Sequence, residues 1–308
     1  MITGANKYFV AALDYRVGVD CGLFDLEDIM DEKEKPTMTS DSFTYEYEAV
    51  FVGSSNDSYY PYNTTVQCRV LNKCELEQSK KSPYTYIVTH DVAVSGKNNS
   101  DNSCTHVIKL VPKTNGTFYK EVIFTQTMNG SKLKEQKEFL RELIHIRFPN
   151  TEKLVLDAAS AGEGLLSLLE EPWFYTNDKG ETIEYPSLIK DDDDETARLL
   201  PEANPMIRAI VAGNEFHNLF YPYMKSCFED KSLRILVASN ETDEAYKNGE
   251  YSALEQYVHV EHDLLITEMS NIKQSFTSGN RLIYDRIVKR NKRDRVTSLM
   301  YGMSVIFE

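Results

Sequence analysis

From residue 84 to residue 126 the apolar positions fall into short runs of period two, separated by polar turns. YTYIVTHDVAVSG (84–96) sets Tyr86, Val88 and His90 against Ile87, Thr89 and Asp91. Bulky side chains on both faces predict a central strand covered on two sides. The loop GKNNSDNS leads to a second run, Cys104–Val111, and the turn PKTNG to a third, Thr117–Gln126. Connections this short predict an antiparallel meander.

The period then changes. Leu133, Leu140, Leu143 and Ile144 stand at helical spacing, with Pro149 beyond them, predicting a helix over about Lys132–Arg147. KLVLD (153–157) reads as a fourth strand, which the preceding helix allows to lie parallel to an earlier one. A small-residue turn, AASAGEG, and a helix at Leu165–Glu170 follow. Residues 171–205 read as irregular, with a hairpin-like WFYTNDKGETIEYP and an acidic run, Asp191–Glu195, taken as a solvated loop. Met206–Val211 is a fifth strand, Asn214 a cap for a helix carrying Phe216, Leu219, Phe220, Tyr223 and Met224, and Leu233–Ala238 another strand. A helix over Ser252–Met269, a hairpin through Ser278–Asn280 and a last helix over Asp294–Val305 complete the pattern.

Upstream the pattern is weaker. A short helix at Leu23–Met30 and a strand at Tyr45–Gly53 are expected, and the polar, lysine-rich stretch Asn72–Pro83 reads as a boundary. Two regions follow: a leading segment or linker, 1–83, and one α/β domain, 84–308. With 308 residues, 41% hydrophobic and 11% aromatic, the chain has the composition of a globular protein. No apolar run approaches the ~18 residues of a spanning helix, and the N-terminus lacks the pattern of a signal peptide. Five scattered cysteines form no CxxC pair, which suggests neither disulfides nor zinc and favours a reducing cytoplasm. Six N-x-S/T triplets then read as plain polar loops.

Three aspartates recur beside secondary structure. Asp91 lies in the first strand, Asp157 ends the fourth, and Asp294 opens the last helix. Singly, each reads as well as a turn or cap residue. With the first and fourth strands parallel neighbours, Asp91 and Asp157 would lie side by side and the helix could bring Asp294 to them. Carboxylates ~4 Å apart repel by roughly 4 kcal/mol at an effective dielectric of 20, so such a cluster implies shared protons or divalent cations. All-oxygen ligation favours Mg²⁺ or Mn²⁺. RLIYDRIVKRNKRDR (281–295) holds seven basic residues against two acidic ones. Running into Asp294, it reads as a phosphate-contacting strip of Lys289, Arg290, Lys292, Arg293 and Arg295 in a chain whose net charge is −14. His90, on the opposite strand face from Asp91, is expected to be packed, not a general base. His217, His259 and His262 show no ligand spacing.

The order meander, helix, strand and later helices, with acids on the first and fourth strands and a late helix, resembles the ribonuclease H fold: a mixed sheet flanked by helices. YEYEAVFVGSS, YIVTHDVAVSG, KLVLDAASAGEGLLSLL, EMSNIKQSFTSGNRLIYDRI and KRDRVTSLMYG resemble, in order over residues 40–308, the nuclease domain of the large terminase subunit of tailed phages. The resemblance implies a double-stranded DNA endonuclease of genome packaging, with Asp91, Asp157 and Asp294 holding two divalent metal ions (Mg²⁺ or Mn²⁺) and Asp101 assisting. It also implies a small terminase subunit, a portal protein and an ATPase motor as partners, in a host cytoplasm and without a membrane. No GxxxxGK[ST] phosphate loop occurs in the chain, so the resemblance is to the nuclease half, preceded by a remnant of the joining region. A resolvase- or transposase-type nuclease of the same fold, or a non-catalytic DNA-binding module, remains the alternative.

Overall fold

The computed structural model describes residues 13–39, 43, 46–47, 58–94, 102–159 and 161–307. Its strands are β1 (Arg69–Leu71), β2 (Thr85–Asp91), β3 (Ser103–Pro112), β4 (Phe118–Met128), β5 (Thr151–Asp157), β6 (Trp173–Thr176) and β7 (Thr182–Tyr185). They continue as β8 (Leu188–Lys190), β9 (Asn204–Ile210), β10 (Leu233–Leu236), β11 (Ile272–Phe276) and β12 (Leu282–Arg286). Eight of these form one sheet in the order β1-β10-β4-β3-β2-β5-β9-β8, while β6–β7 and β11–β12 are separate hairpins.

β2, β3 and β4 pair antiparallel, and β5 joins β2, and β9 joins β5, in parallel. An antiparallel meander whose first strand is central and continues into parallel strands is the ribonuclease H arrangement. Side-chain alternation along β2 explains its central place. Tyr86 and Val88 enter one apolar layer with Leu140 and Leu143 of the Leu133–Glu142 helix and its π-helical continuation, Leu143–Arg147. Ile87 enters the opposite layer with Met224, Leu265 and Leu299, from helices Asn214–Glu229, Ala253–Ser270 and Asp294–Phe307. No helix among the described residues is long and apolar enough to cross a membrane.

Several local expectations shift. The upstream helix spans Leu26–Glu34, because the Asp25 carboxylate accepts the Glu27 N–H at 2.8 Å and caps it there. Gly213, not Asn214, is the N-cap residue of its helix, and Asn214 instead donates to the Leu282 carbonyl at 2.9 Å. The acidic run is not one solvated loop. Asp191 pairs with Lys153 at 2.6 Å and Arg208 at 3.0 Å, and Asp193 caps a short helix, Asp194–Leu199, at the Thr196 N–H. Residues 58–83 contribute β1 to the large sheet, and Tyr60, Cys68 and Cys74 to its two apolar layers. The strand expected at Tyr45–Gly53 lies almost wholly outside the described residues.

Candidate active site

The register that sets Val88 against Leu154 and His90 against Leu156 brings the last residues of β2 and β5, Asp91 and Asp157, side by side. Neighbouring strands lie ~4.8 Å apart, so two carboxylates share one end of the sheet. Both are half-buried. The chain leaves β5 in a tight turn: the Asp157 carboxylate accepts the Ala159 N–H at 2.9 Å. Gly162 passes so close that a Cβ there would stand 1.7 Å from the Asp157 carbonyl oxygen.

Asp294 arrives from the last helix, which lies directly on β2 and β3. Gly302 permits that approach, since a Cβ would stand 2.3 Å from Thr89 Cγ2 and 2.6 Å from Ile108 Cδ1. One turn nearer the helix start, the Thr89 and Ser298 hydroxyls are 2.9 Å apart, a direct link from strand to helix. Asp294 thus stands over the strand ends, buried, with one carboxylate oxygen accepting the Asn102 N–H at 2.7 Å. Asp91, Asp157 and Asp294 line a single cleft of about 530 Å³, together with Arg286, Arg293, Thr297 and Tyr301.

The electrostatics follow mainly from burial. Burial raises the Asp157 carboxyl above its usual range, against the Ala159 hydrogen bond. Burial, and after it the charges of Asp91 and Asp157, push the Tyr301 phenol well up, so it presents a neutral hydroxyl. Arg286, counted in the basic strip but not among the contacts named there, donates through Nη1 to the Asn291 carbonyl at 2.9 Å, while its buried Nε has no partner among the described residues. Nothing local in the sequence separates Arg286 from the rest of the basic run or Tyr301 from a core position, and only the packing of β12 and the last helix turns them to the cleft.

The expected basic strip divides. Arg293 lines the cleft beside Asp294, Lys292 donates to the Asn102 side chain at 3.0 Å, and Arg290 is exposed. Lys289 is exposed and pairs with Asp285. Arg295 is a correction. It turns inward, 6% exposed, with its guanidinium on Glu261 at 2.8 Å and Glu268 at 2.5 Å. Helical geometry points successive side chains ~100° apart, so Arg295 faces the core when Asp294 faces the cleft, and it cannot serve as a phosphate contact. His90 is packed, as its strand face requires. Its ring nitrogens lie 2.8 Å from Thr105 Oγ1 and 2.8 Å from Gln136 Oε1, and burial lowers its pKa to about 4. Asp101 lies outside the described residues.

The donors are carboxylates without His or Cys in the cleft, which suits a hard divalent cation. Among the described residues no three His, Cys, Asp or Glu side chains stand close enough to enclose one ion. The arrangement therefore does not fit a closed protein cage. It fits cations that keep part of their water and bind through one or two carboxylates plus phosphate, the usual habit of Mg²⁺.

No protein-family model matches the chain, and no curated protein matches it. Solved structures do. The chain is similar to the large terminase nuclease from thermophilic phage G20c with bound magnesium, at 12% identity and TM-score 0.48, over 80% of this chain and 98% of that one. It is similar to the HK97 bacteriophage large terminase, at 10% identity and TM-score 0.44, over 92% of this chain and 51% of that one. The nuclease domain of the large terminase subunit gp2 of bacterial virus Sf6 matches at 9% identity and TM-score 0.37, over 80% of this chain and 95% of that one.

Proposed function

We propose that this chain is a divalent-metal-dependent endonuclease acting on double-stranded DNA, of the kind that terminase nuclease domains provide during genome packaging. The observation that carries the reading is the convergence of Asp91, Asp157 and Asp294, from three distant segments, on one cleft at the ends of parallel β2 and β5. Like charges gathered at one partly buried cleft oppose one another's ionisation unless a cation joins them, so their meeting supports a site that takes Mg²⁺ or Mn²⁺. A pair of such ions, when bound, supplies an activated water and stabilises the leaving oxygen of an in-line phosphodiester displacement.

The chain's own residues do the rest. Asp91, Asp157 and Asp294 hold the cations. Arg293, at the cleft, and Lys292, Arg290 and Lys289, on the approach to it, contact phosphates. Phosphate contacts position the duplex and carry no sequence information directly, so cutting has little sequence preference. With a net charge of −14, binding depends on the cations and this strip, and falls steeply with salt. The reading extends to a small terminase subunit, a portal protein and an ATPase motor as partners in a host cytoplasm. In this reading residues 58–83 belong with the nuclease unit, since β1 lies in its sheet, whereas the sequence suggested a boundary at 84.

Incubation of plasmid DNA with Mg²⁺, Mn²⁺ or EDTA, with and without ATP, tests the proposal. Nicking or linearisation is expected with either metal, without ATP, and none with EDTA. Asp91→Asn, Asp157→Asn and Asp294→Asn each abolish it while the protein stays folded. Cleavage that survives EDTA overturns the mechanism, and a variant that keeps most of its activity removes that residue from it.

A further inference from the structure

Beneath the cleft lies a buried polar cluster that phosphate binding does not use. The first turn of a helix carries backbone N–H groups with no partner inside the helix. At the start of the Asp294–Phe307 helix two of these go to one carboxylate: Glu268 Oε2 accepts from Arg295 N at 2.9 Å and from Val296 N at 3.4 Å. Glu268 Oε1 accepts from Arg295 Nη1, and Glu261 accepts from Arg295 Nε at 2.8 Å. The Arg295 carbonyl is 2.9 Å from His106 Nε2, on β3. Residue 295 is thus held at its amide, its carbonyl and both ends of its guanidinium. Glu268 and Glu261 are 6% and 2% exposed and both belong to the neighbouring helix, Ala253–Ser270. Two acids against one arginine leave a surplus negative charge. The positive end of the helix, which favours an anion there, helps accommodate it.

The two acids are not equivalent. Both meet the guanidinium, but of the two, Glu268 alone is bonded to the backbone N–H groups. The residue preceding those amides is Asp294. We propose that Glu268 is a positioning residue for Asp294: by capping the helix start from below, it sets the height and rotation at which Asp294 enters the cleft, and so sets how tightly the site binds its cation. This rests on the reading of Asp294 as a metal ligand. The groups behind a ligand commonly set metal affinity, their loss costing about 10–100-fold.

Glu268→Gln and Glu261→Gln each neutralise one carboxylate on Arg295, so a role in stability alone makes them alike. The readouts are the Mn²⁺ concentration for half-maximal thermal stabilisation and for half-maximal plasmid cleavage, beside the metal-free melting temperature. Glu268→Gln is expected to raise both Mn²⁺ midpoints about tenfold, with cleavage recovering at saturating Mn²⁺. Glu261→Gln is expected to lower the metal-free melting temperature and leave the midpoints at the wild-type value. Glu268→Asp keeps the charge, shortens the reach, and is expected to shift the midpoints as Glu268→Gln does, which keeps the test open should the latter fail to fold. Wild-type midpoints in the folded Glu268 variants, or an equal shift in Glu261→Gln, overturn the proposal. Wild-type protein without any Mn²⁺ response overturns the metal-site reading beneath it.

Discussion

Arg293 and Arg295 are separated by one residue and face opposite environments, so their loss has opposite consequences. Arg295→Ala strands Glu261 and Glu268 as buried, unpaired carboxylates, and loss of one partner from such a pair costs about 3–5 kcal/mol. Denaturant unfolding should show that loss. Arg290→Ala, at an exposed position, changes stability by no more than about 0.5 kcal/mol, and Lys292→Ala gives up the hydrogen bond to Asn102. Each should instead weaken DNA binding uniformly across sequences and reduce its salt slope by about one. Asp157 behaves differently again. Its folded pKa is raised by burial, so the ionised form costs stability at neutral pH and that cost vanishes as pH falls. Metal-free Asp157→Asn, whose amide oxygen can still accept the Ala159 N–H, should therefore melt at or above the wild-type temperature at pH 7. The gap should close towards about pH 4.

At the scale of elements, the site depends on how closely one helix lies on one strand. Gly302 sets that distance against Thr89 and Ile108, side chains with no room to retreat in a packed interior. Gly302→Val should cost on the order of 1–3 kcal/mol from overpacking and lift the helix from β2. Melting temperature reports the first effect. The second should appear as a weaker Mn²⁺ response, since Asp294 rides on that helix while Asp91 and Asp157 remain on the sheet. The turn after β5 is under the same kind of constraint, with backbone instead of side chain against Gly162.

The whole molecule closes one sheet across what the sequence divides. β1 pairs with β10, and Tyr60 donates its hydroxyl to the Tyr221 carbonyl at 3.0 Å. A chain beginning at residue 84 loses that strand and those rings and should fail to unfold cooperatively, whereas one beginning at residue 58 should retain a single transition by calorimetry. Acid stability is also a property of the whole. His90 and His106 are fully buried, on hydroxyl and carbonyl partners, and burial lowers both pKa values to about 4. Their folded values lie below the ordinary ~6.5, so the unfolded chain takes up protons first. Stability is full above about pH 6.5 and falls from there down to pH 4, by about 1.4 kcal/mol per pH unit for each ring. Melting curves across that range should show the decline, and His106→Gln should make it shallower.

The sequence by itself determined the meander and the packed face of His90, and it allowed the strand ending at Asp157 to lie parallel to an earlier one. These rest on alternation and on the order of short elements, both local properties of the chain. Asp294 was legible in the same way, as the start of a strongly patterned helix. That the partner of the Asp157 strand is β2, with Asp91 and Asp157 side by side, came from the observed register. Tertiary structure alone decided which cations of the basic strip reach the cleft. A run of seven looks uniform along the chain, yet Arg295 is claimed by carboxylates 27 and 34 positions away. It likewise turned Arg286 and Tyr301 to the site, drew Asp191 onto Lys153 and Arg208, and added residues 58–83 to the sheet. Ion pairs, edge-strand pairing and the occupancy of a cleft depend on which distant segments meet, and that is settled only when the two apolar layers close around the sheet.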